Sequence, residues 1–301
     1  HTFVVPLYEN GVRAFVVNRY PEEYEGLEGA CFILVHNTKT ALQNIACFIR
    51  RQFTNTVIGI TGSNGKTIIK EWLFQLLHED KKVYRNPKSY NSQIGVPLSL
   101  WPLTNEYDIA AFEAGISRPG EMNALERMIQ PETGILTNIG EAHQEFFDSF
   151  EDKLAEKLLL FSNCKTLIYS KDDELIRTHV PHKLRKINLL SWSQHVDADL
   201  KIDKITGQSD STQITGRYKS QTIEIKIPFI DSASIQNAIH CWLLMLHFGY
   251  SAESIKKRML KLEPVSMRLE QLQGRNNCIL LNDTYNSDID SLSVALEALS
   301  R

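Results

Sequence analysis

The sequence lacks the features that mark several large classes of protein. It contains no apolar run of the ~20 residues that a membrane-spanning helix requires, since the stretch at 241–250 is far too short. Lys and Arg number 33 against 36 Asp and Glu, so the net charge of −3 gives no electrostatic footprint for nucleic acid. The five cysteines are scattered, odd in number and without a Cys-x-x-Cys pair, which argues against zinc and predicts reduced thiols in a cytoplasmic protein. We therefore expect neither a membrane nor a nucleic acid among the partners.

The remaining composition is typical of a globular protein, with 43% hydrophobic and 23% charged residues. At roughly 150 residues per domain, the length of 301 residues predicts about two domains. The first residue is His1 rather than Met, and the apolar stretch after it has neither a basic leader nor a small-residue cleavage site. We interpret this beginning as structure entered partway through and expect a piece of a longer chain.

The hydrophobic pattern predicts an α/β fold. Short β-like runs lie at 14–17 and 31–35, and a helical pattern follows at 40–51. Beyond these, short apolar runs alternate with amphipathic stretches, which is typical of βαβ units around a parallel sheet. The apolar runs lie at 57–61, 108–112, 133–139 and 166–170.

The pattern changes over residues 197–229, where polar and apolar residues alternate with period two. Such alternation predicts half-buried antiparallel strands. Two helices are predicted after them, at 234–248 and 252–262. Gly249 is a plausible end of the first helix, and Ser251 is a candidate N-cap of the second.

The last predicted unit consists of a strand at 278–282 and a helix at 291–299. One strand and one helix cannot bury their own apolar faces. We therefore expect that this unit, too, is part of something larger.

The strongest local signal is the segment VIGITGSNGKT, Val57–Thr67. A buried-strand pattern runs into a glycine loop and then into a helix with one apolar face. Such a loop offers backbone N–H groups and the positive end of the helix dipole to an anion. Lys66 supplies a charge for the terminal phosphates, and the hydroxyl of Thr67 is placed for Mg²⁺. The predicted ATP-binding residues of the loop are Gly62, Ser63, Asn64, Gly65, Lys66 and Thr67.

The loop departs from the general phosphate-loop motif at Ile60, where that motif has glycine. The alternative interpretation is an ordinary glycine turn that leads into a helix. The strand before the loop and the amphipathic helix after it favour the phosphate-binding interpretation.

TGSNGKT resembles the phosphate loop of the Mur ligases, the ATP-dependent amino-acid ligases of peptidoglycan synthesis. Four further segments follow in that family's order and resemble the branch that adds D-alanyl-D-alanine more than its sisters. They are NPKSYNSQIGVPLSL (86–100), FEAGISRPGEM (112–122), TNIGEAHQEFFDSF (137–150) and NDTYNSDIDSL (282–292). The resemblance covers nearly the whole chain.

The resemblance implies a parallel-sheet P-loop ATPase, the family's central domain, with an antiparallel β extension and partial flanking α/β domains. Residues 1–54 would be part of an N-terminal UDP-substrate-binding domain. Residues 55–264 would form the central ATP-binding domain, and residues 265–301 would begin a truncated C-terminal ligase domain.

The resemblance also implies two Mg²⁺ ions. Thr67 and Glu113 would hold one ion beside the phosphates, and His143 would help to hold the second. Glu113 and His143 both follow apolar runs, at the carboxyl ends of predicted strands, where open α/β sheets bind their ligands. From the residues alone, each could equally be a solvated loop residue.

Lys157 matches the family's lysine that reacts with CO₂ to give a carbamate, whose anionic group would ligate or orient the second Mg²⁺. It lies on the flank of the apolar stripe of a helix that begins in a capping-box-like arrangement of Ser149 and Asp152. A partly buried lysine loses its proton more readily, which leaves a nucleophilic amine. Two alternatives stay open: Lys157 extends its ammonium to water, or Lys153, one turn earlier, is modified. The predicted catalytic residues are Lys66, Lys157, Glu113 and His143.

The remaining assignments by resemblance concern the nucleotide and the substrate. Asn237 matches the asparagine that contacts adenine, and Arg268 and Asp283 match residues that reach the ATP phosphate and ribose when the third domain closes. From the residues alone, Asn237 could lie on an exposed helix face, and Asp283 could cap a turn. Ser89 and Asn91 lie where the family binds its nucleotide-sugar peptide.

The implied reaction is the ATP-dependent joining of D-alanyl-D-alanine to UDP-N-acetylmuramoyl-tripeptide through an acyl phosphate. The implied cofactors are ATP, Mg²⁺ and a carbamylated lysine, in a cytoplasmic monomer. The segments GVRAFVV, ALQNIA and NDTYNSD also resemble forms fused to an alanine racemase. Because Arg268 and Asp283 come from the interrupted third domain, we expect this chain alone to be inactive as a ligase.

Two other functions remain as alternatives. The first is another ATP-dependent ligase, such as another Mur-type ligase or a folylpolyglutamate synthase, which shares the loop type. The second is a non-catalytic nucleotide-binding module, which would bind ATP without ligation.

Overall fold

In the computed structural model, the described residues are 2–20, 24–285, 292–293 and 295–296. The strands are β1 Ala14–Val17, β2 Cys31–Leu34, β3 Thr56–Thr61, β4 Val83–Arg85, β5 Ile109–Glu113, β6 Thr133–Leu136, β7 Thr166–Ser170, β8 Asn188–Ser193, β9 Leu200–Gly207, β10 Thr212–Tyr218, β11 Gln221–Ile227, β12 Glu270–Gln273 and β13 Ile279–Asn282. The helices are α1 Val4–Glu9, α2 Thr38–Gln52, α3 Lys66–Leu77, α4 Gly95–Leu100, α5 Met122–Ile129, α6 Phe150–Leu158, α7 Glu174–Lys183, α8 Ser232–His247 and α9 Ala252–Met259.

A nine-stranded sheet forms the centre of the molecule, in the order β11-β10-β9-β8-β7-β6-β3-β5-β4. The strands from β4 to β9 in this order pair in parallel, and β10 and β11 continue the same sheet in antiparallel pairing. The predicted parallel α/β sheet with an antiparallel β extension is therefore confirmed. Because parallel strands all point the same way, the loops after β3, β5 and β6 meet at one edge.

Helices cover both faces of the parallel part of the sheet, and this is why its strands are almost continuously apolar. Side chains of β3 alternate between two cores: Ile58 and Ile60 pack with α3 and α8, and Val57 packs with α5, α6 and α7. Each of these three side chains is fully buried. The glycine loop after β3 is thus attached to a strand that is fixed on both faces.

The predicted strands at 57–61, 108–112, 133–139 and 166–170 correspond to β3, β5, β6 and β7, although β6 ends earlier, at Leu136. β4 and β8 were not predicted. β4 has only three residues, and β8 contains serines between its apolar residues, which the sheet buries together with them. The side chain of Ser251 accepts a hydrogen bond from Ser254 N, so the predicted N-cap is confirmed. The helix predicted at 291–299 falls mostly outside the described residues.

Two smaller sheets flank the large one in the described part of the chain. β1 and β2 pair in parallel over a small core that contains Phe15 and Tyr24, and β12 and β13 pair in antiparallel. Every helix in the described ranges is too short or too polar to cross a lipid bilayer.

Two glycines are paired neighbours on the adjacent strands β3 and β6. Because they have no side chains, neighbouring residues can pack close to the sheet at this point. Gly59 pairs with Gly134, and a Cβ on Gly134 would lie 2.6 Å from Cε1 of the buried ring of Phe161. A real Cβ has no room there, so the ring or the strand would have to move.

We therefore expect Gly134→Ala to lower the free energy of unfolding by about 1–3 kcal/mol, the usual cost of overpacking a core. Gly207→Ala is the matched control, because Gly207 also lies in a strand and a Cβ there meets no atom within 4 Å. Its free energy of unfolding should stay within about 0.5 kcal/mol of the wild-type value. Urea denaturation of both variants checks this, and an equal effect of the two substitutions would contradict the packing argument.

Candidate functional site

The site is built around the loop that joins β3 to α3. Gly62 and Gly65 have φ angles of 149° and 81°, which side-chain-bearing residues rarely adopt. A Cβ on Gly62 would overlap the hydroxyl of Thr137, and one on Gly65 would overlap the amide oxygen of Asn237. Both glycines are therefore required by the backbone angles and by the close approach of neighbouring side chains.

A second segment, residues 137–140 after β6, holds the loop by hydrogen bonds. Ser63 N donates to the carbonyl oxygen of Asn138 (2.9 Å), and Asn64 N donates to Oδ1 of Asn138 (2.8 Å). The hydroxyl of Thr137 donates to the carbonyl oxygen of Asn64 (2.6 Å). Sequence reasoning gave these two residues no role, although they lie in the apolar run 133–139 and open the segment TNIGEAHQEFFDSF. The loop is thus held in one shape, and α3 points its N-terminal amides into the cleft.

The side chain of Lys66 lies over this loop. Its Nζ donates to the carbonyl oxygens of Gly62 (2.9 Å) and Ser63 (2.7 Å). Lys66 lines the clefts on both sides of the loop. A fixed positive charge at this point, together with the helix N-terminus, forms a site for a phosphate chain.

Thr67 and Glu113, the two residues predicted to hold one metal ion, are in direct contact. Thr67 Oγ1 donates to Oε2 of Glu113 over 2.8 Å, and the Glu113 side chain is 1% exposed. The predicted substrate residues join them: Asn91 Nδ2 donates to Oε1 of Glu113 (2.5 Å), and Ser89 Oγ lies 3.1 Å from Thr67 Oγ1. Glu113 is therefore a buried member of a polar cluster and not a solvated loop residue.

The oxygen atoms of this cluster suit Mg²⁺, which prefers hard oxygen ligands. Among the described residues, no group of three or more His, Cys, Asp or Glu side chains could hold a metal by itself. Mg²⁺ in nucleotide sites commonly takes one or two protein oxygens and completes its shell with phosphate and water. Thr67 and Glu113, beside the phosphate loop, fit that pattern.

Lys157 lies on the other side of the loop, in the last turn of α6. Ser149 caps this helix, and Asp152 N donates to its hydroxyl, as the predicted capping box requires. Nζ of Lys157 donates to the carbonyl oxygen of Gly62 (2.9 Å), and the side chain is buried. Burial, followed by the positive charges of Lys66 and Lys153, lowers the pKa of Lys157 well below its ordinary value. The alternative in which Lys157 extends its ammonium to water is therefore wrong.

Lys153, one turn earlier on α6, is also buried. Its Nζ donates to the carbonyl oxygen of Gly140 (2.5 Å), in the segment that supports the glycine loop. Lys157 lines the same cleft as Lys66 and His143. The location of Lys157, rather than its burial, distinguishes it from Lys153.

His143 precedes a short 3₁₀ helix, Gln144–Phe146, and has a left-handed backbone with φ of 62°. Partial burial, followed by the charge of Lys66, lowers the pKa of His143. Its imidazole is therefore neutral around pH 7 and keeps a lone pair for a metal ion or a proton.

The three remaining predicted residues occupy different positions. Asn237 is buried in α8 with its amide against Gly65, so it does not lie on an exposed helix face. Arg268 lines the cleft with Thr67 and Glu113, and its guanidinium lies 4.4 Å from the ring centroid of Tyr285. Asp283 accepts a hydrogen bond from Leu269 N (3.2 Å), a contact that joins the start of β12 to the end of β13 and is not a local turn cap.

Two clefts thus share the glycine loop as their common wall. One contains Thr67, Glu113 and Arg268, and the other contains His143 and Lys157. Lys66, Ser89 and Asn91 line both clefts. A phosphoryl group bound at this wall would adjoin both clefts, an arrangement suited to its transfer between two bound molecules.

Comparison with known proteins gives consistent matches. A model of the Mur ligase middle domain matches residues 60–245. The UDP-N-acetylmuramoyl-tripeptide–D-alanyl-D-alanine ligase of Bacillus subtilis (strain 168) is 28% identical over 300 residues, which are 99% of this chain and 64% of that protein. The chain thus spans less than two thirds of the length of this curated relative.

Two solved structures are similar to the whole chain. A crystal structure of MurF from Acinetobacter baumannii has a TM-score of 0.90 at 24% identity, and it covers 100% of this chain and 65% of that one. The MurF ligase from Thermotoga maritima, in complex with ADP, has a TM-score of 0.86 at 25% identity, with 100% and 69% covered.

The buried amine of Lys157 leads to a prediction about stability. We expect Lys157→Met to raise the free energy of unfolding at about pH 7 by at least about 1 kcal/mol, because Met fills similar space without a proton to lose. Between the lowered pKa of the folded state and the ordinary value of 10.5, the unfolded wild-type chain binds more protons than the folded chain. Wild-type stability therefore rises with pH in this window, and the advantage of the variant should shrink as the pH approaches 10.5.

Urea denaturation in bicarbonate-free buffer over this pH window measures the effect. Lys39→Met, at an exposed position of α2, is the control for the same chemical change on a helix surface. A Lys157→Met variant that is less stable than the wild type at every pH would contradict the prediction.

Proposed function

We propose, from the premise that this chain belongs to the Mur ligase family, that it carries the nucleotide chemistry of an ATP-dependent, ADP-forming ligase. The proposed reaction joins D-alanyl-D-alanine to UDP-N-acetylmuramoyl-tripeptide in peptidoglycan synthesis, as the name of the Bacillus subtilis relative describes for that protein. The observation that carries the proposal is the shared wall of the two clefts, where Lys66 lies between Thr67 and Glu113 on one side and Lys157 on the other.

In the proposed first step, a carboxylate oxygen of the tripeptide attacks the γ-phosphorus of ATP, and the bond from phosphorus to the bridging oxygen of ADP breaks. The loop amides and the ammonium of Lys66 hold the phosphoryl group while negative charge spreads over its oxygens. Thr67 and Glu113 would hold Mg²⁺, which supplies additional positive charge to the phosphate oxygens. Arg268 lies on the nucleotide side, where it would contact the phosphate chain.

In the second step, the amine of D-alanyl-D-alanine attacks the carbonyl carbon of the acyl phosphate. The tetrahedral intermediate collapses, and inorganic phosphate leaves with the electron pair of the broken C–O bond. The amine loses its proton to a base that we do not assign. Ser89 and Asn91 line the cleft beside the shared wall and would position the carboxylate that becomes the acyl phosphate.

We further propose that Lys157 is carbamylated. Its neutral amine would attack CO₂, a C–N bond would form, and the proton would pass to solvent, which leaves an anionic carbamate. The proposal is supported by the contact of Nζ with the glycine loop and by the position of Lys157 in the cleft beside His143. An anion there would offset the charges of Lys66 and Lys153, and with His143 it would hold the second Mg²⁺.

The domain assignments also belong to the proposal. Residues 1–54, 55–264 and 265–301 would be parts of the UDP-substrate, ATP-binding and ligase domains. The proposed substrates, ATP and a nucleotide sugar, are consistent with a cytoplasmic enzyme. A monomeric state and a fused alanine racemase stay predictions, as does the contact of Asn237 with adenine.

A ligation assay on the protein at its full encoded length tests the reaction. ADP release should require both UDP-N-acetylmuramoyl-tripeptide and D-alanyl-D-alanine. Lys66→Ala and Lys157→Ala should each lower kcat by about 100-fold or more, the usual loss when a group that stabilises transition-state charge is removed. Lys39→Ala, on the surface of α2, is the control and should leave the rate unchanged.

The alternatives give different outcomes in the same assay. Preference for a folate and glutamate would identify a folylpolyglutamate-synthase-like ligase, and ATP binding without ADP release would identify a non-catalytic module. Full activity of both lysine variants would overturn the proposed mechanism.

Carbamylation has its own test. With ¹³C-bicarbonate, the wild-type protein should show a carbamate signal by ¹³C NMR, and Lys157→Ala should lack it. Lys153→Ala is the matched control, since Lys153 is equally buried on the same helix, and it should keep the signal. Short carboxylic acids should partly restore ligation in Lys157→Ala by replacing the missing anion. A signal that depends on Lys153 instead would contradict the assignment.

A further inference from the structure

Lys70 is a fully buried lysine that none of the motifs above explains. It lies on α3 three residues after Thr67, on the same face of the helix, and its side chain is 0% exposed. A buried ammonium is costly unless each of its protons has an acceptor. The contacts of Lys70 therefore indicate why the site contains it.

The ammonium of Lys70 has three hydrogen-bonding partners. Nζ donates to the carbonyl oxygens of Asn86 (2.7 Å) and Lys88, and it lies 3.1 Å from Oε1 of Glu71. A lysine ammonium has three protons, so these three acceptors satisfy it completely. The carboxylate of Glu113 is the next group, with Oε2 at 4.0 Å.

The two carbonyls that Lys70 caps belong to the segment 86–91, which follows β4. Lys88 in this segment has a left-handed backbone with φ of 49°, so the chain turns tightly around the ammonium. The same segment carries Ser89 and Asn91, whose side chains contact Thr67 and Glu113. Lys70 thus fixes the backbone from which two residues of the site project.

Lys70 also acts on Glu113 directly and through Asn86. The side-chain oxygen of Asn86 accepts a hydrogen bond from Glu113 N (3.0 Å), so the capped segment holds the Glu113 backbone as well. The contacts of the Glu113 carboxylate with Thr67 and Asn91 are to neutral groups. Lys70 adds a fixed positive charge at 4.0 Å to this buried carboxylate.

Glu71, the ion-pair partner of Lys70, forms a second ion pair with a residue nearer the surface. Glu71 accepts from Nε of Arg85 (2.7 Å), and the Arg85 side chain is 30% exposed. Arg85 shares a carboxylate with Lys70 and contacts neither Glu113 nor the capped carbonyls in the structure described. Arg85 therefore provides a control within the same ion-pair chain.

We propose that Lys70 is a positioning residue that holds Glu113 and the segment 86–91 around Thr67 in the geometry that binds a divalent cation with a nucleotide. The identity of the cation and the nucleotide rests on the proposed function. The placement of Glu113, Ser89 and Asn91 by Lys70 rests on the contacts alone.

The first experiment measures this placement without any ligand. Hydrogen exchange is compared among the wild type, Lys70→Met and Arg85→Met in this chain. The reporters are the amides of Glu113, which donates to Asn86, and Gly115, which donates to the carbonyl oxygen of Asn91. In Lys70→Met both amides should exchange about 10-fold faster or more, and in Arg85→Met they should exchange at the wild-type rate. Unchanged exchange in Lys70→Met would overturn the proposal.

The second experiment measures binding of a fluorescent N-methylanthraniloyl-ATP with and without Mg²⁺. In the wild type, Mg²⁺ should tighten binding. In Lys70→Met, the Mg²⁺ concentration for half-maximal binding should rise by roughly 10- to 100-fold, the usual effect of removing a partner that orients a metal ligand. The affinity without Mg²⁺ should stay close to wild type, since the glycine loop and Lys66 are intact. A purely structural defect would weaken both.

Lys70→Gln, which keeps hydrogen-bond donors but loses the charge, provides a second variant if Lys70→Met does not fold. Loss of the fold in both variants would overturn the proposal, because it would show that Lys70 stabilises the whole domain rather than positions the site. A normal Mg²⁺ requirement in a folded variant would overturn it as well. A wild-type chain that binds no nucleotide would overturn the proposed ATP site and the ligand-dependent part of this inference, whereas the exchange rates would still decide the placement of Glu113.

Discussion

A backbone loop that offers its N–H groups to an anion must turn its carbonyl groups into the protein, and each buried carbonyl needs a donor. The rest of the site depends on this constraint. Lys66 and Lys157 donate to the carbonyl oxygen of Gly62, and Lys153 donates to that of Gly140 in the supporting segment. Lys70 does the same for Asn86 and Lys88. The buried ammonium groups of Lys70, Lys153 and Lys157 thus cap the inward side of the site, while Lys66 and the amides of the loop face the clefts.

Capping by lysine has an electrostatic cost as well as a geometric benefit. Burial lowers the pKa of Lys157 most, and the positive charges of the nearby Lys66 and Lys153 lower it further. A phosphate chain in the loop would offset the repulsion from one side, and a carbamate on Lys157 would offset it from the other. The proposed ligands would thus place negative charge on both sides of this lysine cluster.

Local patterns in the sequence were enough to predict the glycine loop and the sheet apart from β4 and β8. Apolar runs such as 57–61 report burial directly, and Gly62 and Gly65 report backbone angles that other residues avoid. The pattern around Lys157 placed it beside the apolar stripe of α6, but its burial depends on the loop that packs above it, which no local pattern contains. For the same reason, sequence reasoning gave no role to Thr137 and Asn138, which hold a loop more than 70 residues earlier.

Lys70 shows the same limit in a stronger form. A lysine beside Glu71 on an amphipathic helix has the pattern of a solvated ion pair, yet it is fully buried because the segment 86–91 folds over it. Helix α3 therefore positions three parts of the site along one axis. Its N-terminus adjoins the glycine loop, Lys70 holds Glu113 and its neighbours, and two residues later Trp72 Nε1 donates to the carbonyl oxygen of Glu263, five residues before Arg268.

These three parts depend on the position of one helix. α3 is anchored by apolar side chains that are almost completely buried, among them Ile69, Leu73 and Leu76. A substitution that shifted the helix along its axis would displace the phosphate loop, the buried carboxylate and the anchor of the segment that carries Arg268 at once. Apolar packing of α3 against the sheet and α8 thus fixes the position of the helix, and polar contacts made from the helix fix the segments around it. This is why segments as distant in the sequence as 86–91 and the one that contains Glu263 can be held against one helix.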